Sequence, residues 1–262
     1  MKKPIVIPME VRLMQWTSVV MFGLAFILCV ASCIGWLLRH PAFSIQSITV
    51  RGNVTHSNAV TLRANVLPQL TGNFFTLNLL QARQAFEQIP WIRSALVRRE
   101  FPNRLSVTLE EFQPVAQWGS EGDGKFLSAE GAVFEVNADD VDSDALPTLK
   151  GPESQAKVVL DMFQYLKPLM AKMDMNLDKL ELSQRGSWSA QLESGATLEL
   201  GHGDPQEIGE RLQLFSKTLT QVASRYGRTT TSLLSADLRY ESGYALRLRG
   251  VSTLAADGLK KP

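Results

Sequence analysis

Apolar and polar positions follow three successive patterns along this chain. Residues 13–38 are 26 consecutive positions without a charged side chain, and the apolar body of that run is residues 16–38. At about 1.5 Å of helical rise per residue this body is roughly 35 Å long, slightly more than the ~30 Å of bilayer hydrocarbon, so a modestly tilted helix crosses a membrane. Trp16 and Trp36 stand near its two ends, where an indole ring keeps its N–H at the headgroup level. A cleaved signal would have an apolar region of only about 7–15 residues. The lipoprotein-like motif at Val30, Ala31, Ser32 and Cys33 is followed by more apolar sequence, where a lipidated start would continue into a polar tether. The pattern therefore predicts an uncleaved span over 16–38, with a short tail, 1–15, before it.

Over 42–117 the pattern predicts strand, helix, helix, strand, strand. Ile48 and Val50 have strand spacing, and Arg51, Gly52 and Asn53 signal a turn. A helix over 57–67, capped by Ser57 or Asn58, is expected to bury Val60, Ala64 and Leu67. A second helix opens at Asn78 with Gln81 three residues on, turns Leu79, Ala82, Phe86 and Ile89 inward, and stops at Pro90. Residues 91–100 and 104–111 form a hairpin around Phe101, Pro102 and Asn103. In its second arm Leu105, Val107 and Leu109 alternate with polar residues, so one face is buried. A small sheet covered on one face by two helices suits that order.

Residues 118–250 read as a second domain and 251–262 as a flexible tail. A tight hairpin over 124–134 needs Gly131 at a positive-φ position. A helix over about 153–173 buries Val159, Met162, Leu166, Leu169 and Met173, with Pro168 bending or shortening it. Three short strands follow at 177–182, 188–192 and 197–200. Asp204, Pro205 and Glu207 open a helix with a capping box, and Ile208, Leu212, Phe215, Leu219 and Val222 form its apolar stripe. Last comes a hairpin in which residues 234–240 and 244–249 alternate on either side of a turn at Glu241, Ser242 and Gly243, with Gly243 left-handed. A last strand has one unpaired side, which native proteins guard with charge unless they use it. Arg247 and Arg249 fit either role, as guards or as attractors of an acidic partner.

Charge and chemistry narrow the picture. The net charge of +1 and 20% charged residues carry no electrostatic footprint of nucleic-acid binding. Lys2, Lys3 and Arg12 precede the span against one Glu10, while Arg39 and Arg51 follow it, which favours a cytoplasmic amino terminus and an exported bulk. Cys29 and Cys33 both lie in the span, so no disulfide staples the exported part and packing must hold it. His40, His56 and His202 have no second histidine or cysteine at ligand spacing. The acidic run 137–144 lacks the glycine and distal glutamate of an EF-hand and reads as a solvated loop. There is no Gly-x-Ser-x-Gly elbow and no Ser-x-x-Lys followed by Lys-Thr-Gly. No cofactor, metal or catalytic set is expected.

Several phrases resemble one family. Ile48 to Asn53, Pro90-Trp91-Ile92, Ala95-x-Val97-x-Arg99, Pro102-x-x-Leu105 and Glu111-x-x-Pro114-Val115-Ala116 are similar to the POTRA domain of the FtsQ family of bacterial cell-division proteins. Residues 124–134, Leu200-Gly201 with 211–215, and 237–246 resemble that family's second domain, although His202 stands where relatives more often have arginine. The resemblance implies a single-pass membrane helix followed by two α+β domains: a β-α-α-β-β POTRA domain, then a mixed or antiparallel sheet with packed helices. It implies an inner-membrane protein enriched at the septum, with its bulk in the periplasm, acting as a non-catalytic divisome scaffold that binds FtsB and FtsL. It puts Arg239, Tyr240 and Ser242 in the contact region. Strand addition would extend that region through Gly243, Tyr244, Ala245, Leu246, Arg247 and Leu248. Some relatives have glycine and tryptophan where this chain has Arg247 and Leu248. Competing expectations are a POTRA-type chaperone or assembly factor for exported proteins and a membrane-anchored periplasmic enzyme. The chain lacks the many ten-residue strands of a barrel.

Overall fold

Helix α1 (Met9–Arg39) carries the apolar run. The computed structural model describes residues 9–40, 43–57, 59–240 and 243–251; the expected tail falls almost wholly outside them. Within α1 the stretch Arg12–Trp36 is long and apolar enough to cross a membrane, and none of its side chains is buried against protein. The helix starts earlier than the span read from the sequence, because the charged Glu10 and Arg12 continue the backbone ladder without being apolar. From Met9 on, the chain divides into two compact units between Glu111 and Phe112.

The first unit contains β1 (Ser47–Asn53), α2 (Ala59–Val66), α3 (Leu79–Glu87), β2 (Ile92–Glu100) and β3 (Arg104–Glu111). Strand β3 is central, parallel to β1 and antiparallel to β2. Its alternation places Leu105, Val107 and Leu109 under the helices, each fully buried. Strand β1 does not stop at the expected turn; it runs through Arg51, Gly52 and Asn53 beside β3. Gly52 permits this, because it holds φ at 122° and a Cβ there would lie 2.1 Å from the Leu109 carbonyl oxygen. Helix α2 buries Leu62 and Val66; of the expected stripe, Ala64 and Leu67 face solvent, and the side chain of Val60 lies outside those described. Leu62 and Val66 are one turn apart and bulkier, so that face wins the core. Asn58 lies outside the described residues. In α3 the Asn78 side chain accepts from the N–H groups of Leu80 and Gln81, and Ala82, Ala85 and Phe86 point inward.

The second unit is built on a nine-stranded mixed sheet. Its strands are β4 (Pro114–Trp118), β5 (Lys125–Ser128), β6 (Val133–Glu135), β7 (Thr148–Lys150), β8 (Leu177–Leu182), β9 (Trp188–Leu192), β10 (Thr197–Gly201), β11 (Leu233–Asp237) and β12 (Ala245–Leu248). The spatial order is β12-β11-β10-β9-β8-β7-β4-β5-β6. Residues 114–117, read from the sequence as the end of the first domain, instead begin this sheet, because β4 pairs with β5 and β7. Strand β7 was not expected at all, since a three-residue strand carries almost no alternation.

Helix α4 (Ala156–Ala171) links the parallel strands β7 and β8, and α5 (Pro205–Arg225) links the parallel strands β10 and β11. Helix α4 is shorter than expected, with a 3-10 turn over Glu153–Gln155 before it and Pro168 three residues from its end. Leu160, Phe163 and Met170 join Val159, Met162 and Leu166 in the core, whereas Leu169 and Met173 are half-buried. The cap of α5 is as expected: Asp204 accepts from the Glu207 N–H at 2.9 Å, and the Glu207 carboxylate accepts from the Asp204 N–H at 3.2 Å. Gly209 lets α5 meet α4 closely, since a Cβ there would lie 2.9 Å from the Tyr165 hydroxyl.

Candidate functional site

Strand β12 ends the nine-stranded sheet, and among the described residues no strand pairs with its outer side. Its backbone has a definite orientation. The Arg249 N–H donates to the Ser232 carbonyl at 2.8 Å, and Leu248 faces Leu233 across the pair. Alternation then turns the backbone groups of Ala245 and Arg247 toward β11 and those of Leu246 and Leu248 outward. The Leu248 carbonyl accepts from Val251 at 3.3 Å, leaving the Leu246 N–H and C=O and the Leu248 N–H without a backbone partner among the described residues.

Side chains hold this edge in place. Leu248 is buried, and Leu246 and Tyr244 are packed against the core from its margin. The Tyr244 ring meets Phe215 of α5 edge-on at 4.9 Å, and its hydroxyl lies 2.7 Å from the Thr218 hydroxyl. Ala245 and Arg247 project to the opposite, solvent-facing side.

The hairpin differs from its expected form. Strand β11 ends at Asp237, which pairs with Ala245, so the connection runs over 238–244 rather than a three-residue turn. The Leu238 N–H donates to the Glu199 carbonyl at 2.8 Å, so the chain follows β10 past the point where β12 leaves off. The left-handed conformation expected of Gly243 is defined through Ser242 and so lies outside the described residues. Ser242, with Glu241, lies outside the described residues.

Arg239 and Tyr240 belong to that connection, and both are exposed. Arg239 grips Asp237 through Nε at 2.8 Å and a terminal nitrogen at 2.6 Å. The hydrogen bond from Arg239 holds the Asp237 carboxyl below its ordinary range, and the same bond pushes Arg239 upward. Beside them Arg211 donates to the carbonyls of Leu200 and His202, bracing the turn at Gly201. Gly201, His202, Arg211, Arg239 and Tyr240 line one shallow hollow. Sequence reading did not assign Arg211 or Thr218 to this region; the arginine seven residues after the α5 cap Asp204 was the available signal, and Thr218 offered none. No group of three or more metal-ligating side chains occurs among the described residues.

Comparison with known proteins covers most of the chain. Residues 43–112 match the POTRA domain, FtsQ-type, and residues 116–239 match Cell division protein FtsQ/DivIB, C-terminal, a match that ends within the connection to β12. The Cell division protein FtsQ of Thiomonas arsenitoxydans is 39% identical over 247 residues, covering 94% of this chain and 90% of that protein. That of Burkholderia pseudomallei is 36% identical over 246 residues, covering 94% and 96%. That of Neisseria meningitidis is 28% identical over 248 residues, covering 95% and 96%.

Proposed function

Because this chain belongs to the FtsQ family of cell-division proteins, we propose that it is a non-catalytic scaffold of the divisome. In this reading α1 anchors it in the inner membrane, with the amino terminus in the cytoplasm and both folded units in the periplasm. It recruits and links division proteins at the septum, and FtsB and FtsL dock on the periplasmic side.

One observation carries the docking mechanism: β12 is the terminal strand of the sheet and turns the Leu246 N–H and C=O and the Leu248 N–H outward. An extended segment of FtsB adds there as a tenth strand, its main chain supplying affinity. Arg239 and Tyr240, in the connection before that strand, extend the contact region, to which Ser242 belongs by resemblance, and the exposed Arg247 selects an acidic side chain on the incoming segment.

Leu246→Pro tests this on the full chain in lipid nanodiscs. Proline removes a donor that faces away from β11, where an edge strand tolerates it. The unpaired carbonyl left on the partner costs about 1–3 kcal/mol, so FtsB binding is expected to weaken roughly 5- to 150-fold. Ala245→Pro is a poorer probe, because the Ala245 N–H faces β11. Hydrogen exchange in β11 verifies that the Leu246→Pro sheet is intact. Undiminished FtsB binding by that folded variant would overturn the mechanism, and a fluorescent fusion spread evenly around the membrane would count against the septal role.

A further inference from the structure

The first unit carries an aromatic corner that its own core does not use. Phe101, at the tip of the β2–β3 hairpin, is 75% exposed, and Phe75 is 45% exposed. They belong to one chain of ring contacts: Phe43 to Phe75 at 5.0 Å, Phe75 to Phe74 at 5.2 Å, and Phe74 to Phe101 at 6.1 Å. Exposed large rings gathered at one place mark a surface that meets something apolar.

The corner is also tied to the end of α1. The Phe43 N–H donates to the His40 carbonyl at 3.0 Å, and the Phe43 carbonyl accepts from the Phe74 N–H at 2.9 Å. Gln46 donates to the Asn103 carbonyl at 3.0 Å, which fixes the hairpin tip to the same segment. Trp36 closes the apolar stretch of α1, and its ring touches His40 edge-on at 4.8 Å. With Trp36 at the headgroup level, four more residues at about 1.5 Å each carry His40 only about 6 Å further. The aromatic corner therefore starts inside or just above the headgroup layer. Basic side chains accompany it. Arg104 is exposed beside the tip and makes no ion pair among the described residues, while its neighbour Glu100 is taken up by Arg51 at 3.6 Å. Arg99 donates to the Leu77 carbonyl at 2.7 Å and so stiffens the loop that presents Phe75.

We propose that this corner is a membrane-docking surface: Phe101 and Phe75 insert among the headgroups of the bilayer that α1 enters, and Arg104 meets lipid phosphate. The occupant is the lipid surface itself, because the connection from α1 is too short to hold the corner far from it and the charge of Arg104 complements phosphate. The effect is to restrict how the first unit stands on the membrane. This rests on the reading that α1 spans the bilayer.

The test uses the full chain, with Cys29 and Cys33 replaced by alanine, in vesicles of phosphatidylethanolamine and phosphatidylglycerol. Single nitroxide labels are placed by Phe101→Cys, Phe26→Cys and Tyr226→Cys, and spin-relaxation measurements compare access to oxygen with access to a water-soluble nickel chelate. The expected result is an oxygen-to-nickel ratio at position 101 several-fold above that at 226 and below that at 26. A ratio at 101 equal to that at 226, with 26 reading as hydrocarbon, would overturn the docking proposal and leave the span standing. A water-like value at 26 would remove the span and the docking proposal with it.

Discussion

Glu111 holds the first unit closed in a way that can be measured. Its side chain is fully buried, and it accepts N–H groups from three consecutive residues: Thr55 at 2.8 Å, His56 at 3.2 Å and Ser57 at 2.8 Å. His56 also stacks on Trp91 with 3.9 Å between ring centres, and its Nδ1 lies 3.4 Å from the carboxylate. Glu111→Gln keeps the shape but offers one acceptor oxygen where there were two, and turns an amide N–H₂ toward N–H donors. At least one partly buried backbone donor loses its partner, and the remaining bonds lose their charge, so the expected cost is about 3 kcal/mol. For a unit of this size, about 3 kcal/mol lowers the thermal midpoint by roughly 12–24 °C. If exchange proceeds through opening of this unit, amide exchange at Thr55, His56 and Ser57 accelerates about 150-fold, at 1.36 kcal/mol per tenfold. Hydrogen-exchange mass spectrometry on the full chain reads this separately from the second unit. The pH dependence follows from the same contacts. Burial, the largest single influence, raises the carboxyl pKa, but the hydrogen bonds from Thr55, Ser57 and His56 outweigh it and hold the group below its ordinary 4.5. A depressed folded pKa means that the stabilisation is complete above the unfolded value and disappears as the pH falls through the folded one. The wild-type unit is therefore expected to lose stability below about pH 4.5, whereas the Gln variant loses less there. An acceleration under tenfold at Thr55, His56 and Ser57 would refute the clamp.

Gly52→Ala is expected to destabilise the first unit by about 2 kcal/mol or more, because φ of 122° strains any other residue and the added carbon meets the Leu109 carbonyl at 2.1 Å. Calorimetry should show that unit's transition lowered and the second unit's unmoved. Tyr244→Phe keeps the ring on Phe215 and removes the hydroxyl contact with Thr218, at a cost of about 1 kcal/mol. The check is hydrogen exchange in β12, expected to quicken roughly fivefold; no change would mean that the hydroxyl does not secure the edge.

Local pattern carried much of this fold. The alternation of Leu105, Val107 and Leu109, the capped stripe beginning at Asp204, and the uncharged run of α1 are each satisfied within one element, so their periodicity alone reveals the buried face. The stripes failed where two faces were nearly equivalent, as in α2, where packing chose Leu62 and Val66 over Ala64 and Leu67. The candidate edge was half legible. The residues of β12 and its outward Arg247 follow from alternation, but the length of the connection before it does not. That was settled when the Leu238 N–H bonded the Glu199 carbonyl of β10, a residue far back in the chain.

By itself, then, the amino-acid sequence determined the membrane-length helix, most strands and helices, and the family, because each depends on neighbouring residues or on a shared phrase. Only the tertiary structure decided that β12 is terminal in its sheet, that residues 114–117 join the second unit rather than the first, and that Glu111 reaches back to Thr55, His56 and Ser57. The physical reason is that strand order and buried polar partnerships pair backbone groups distant along the chain. Residue spacing says which face of a strand is apolar, and says nothing about which strand, if any, will lie along its edge.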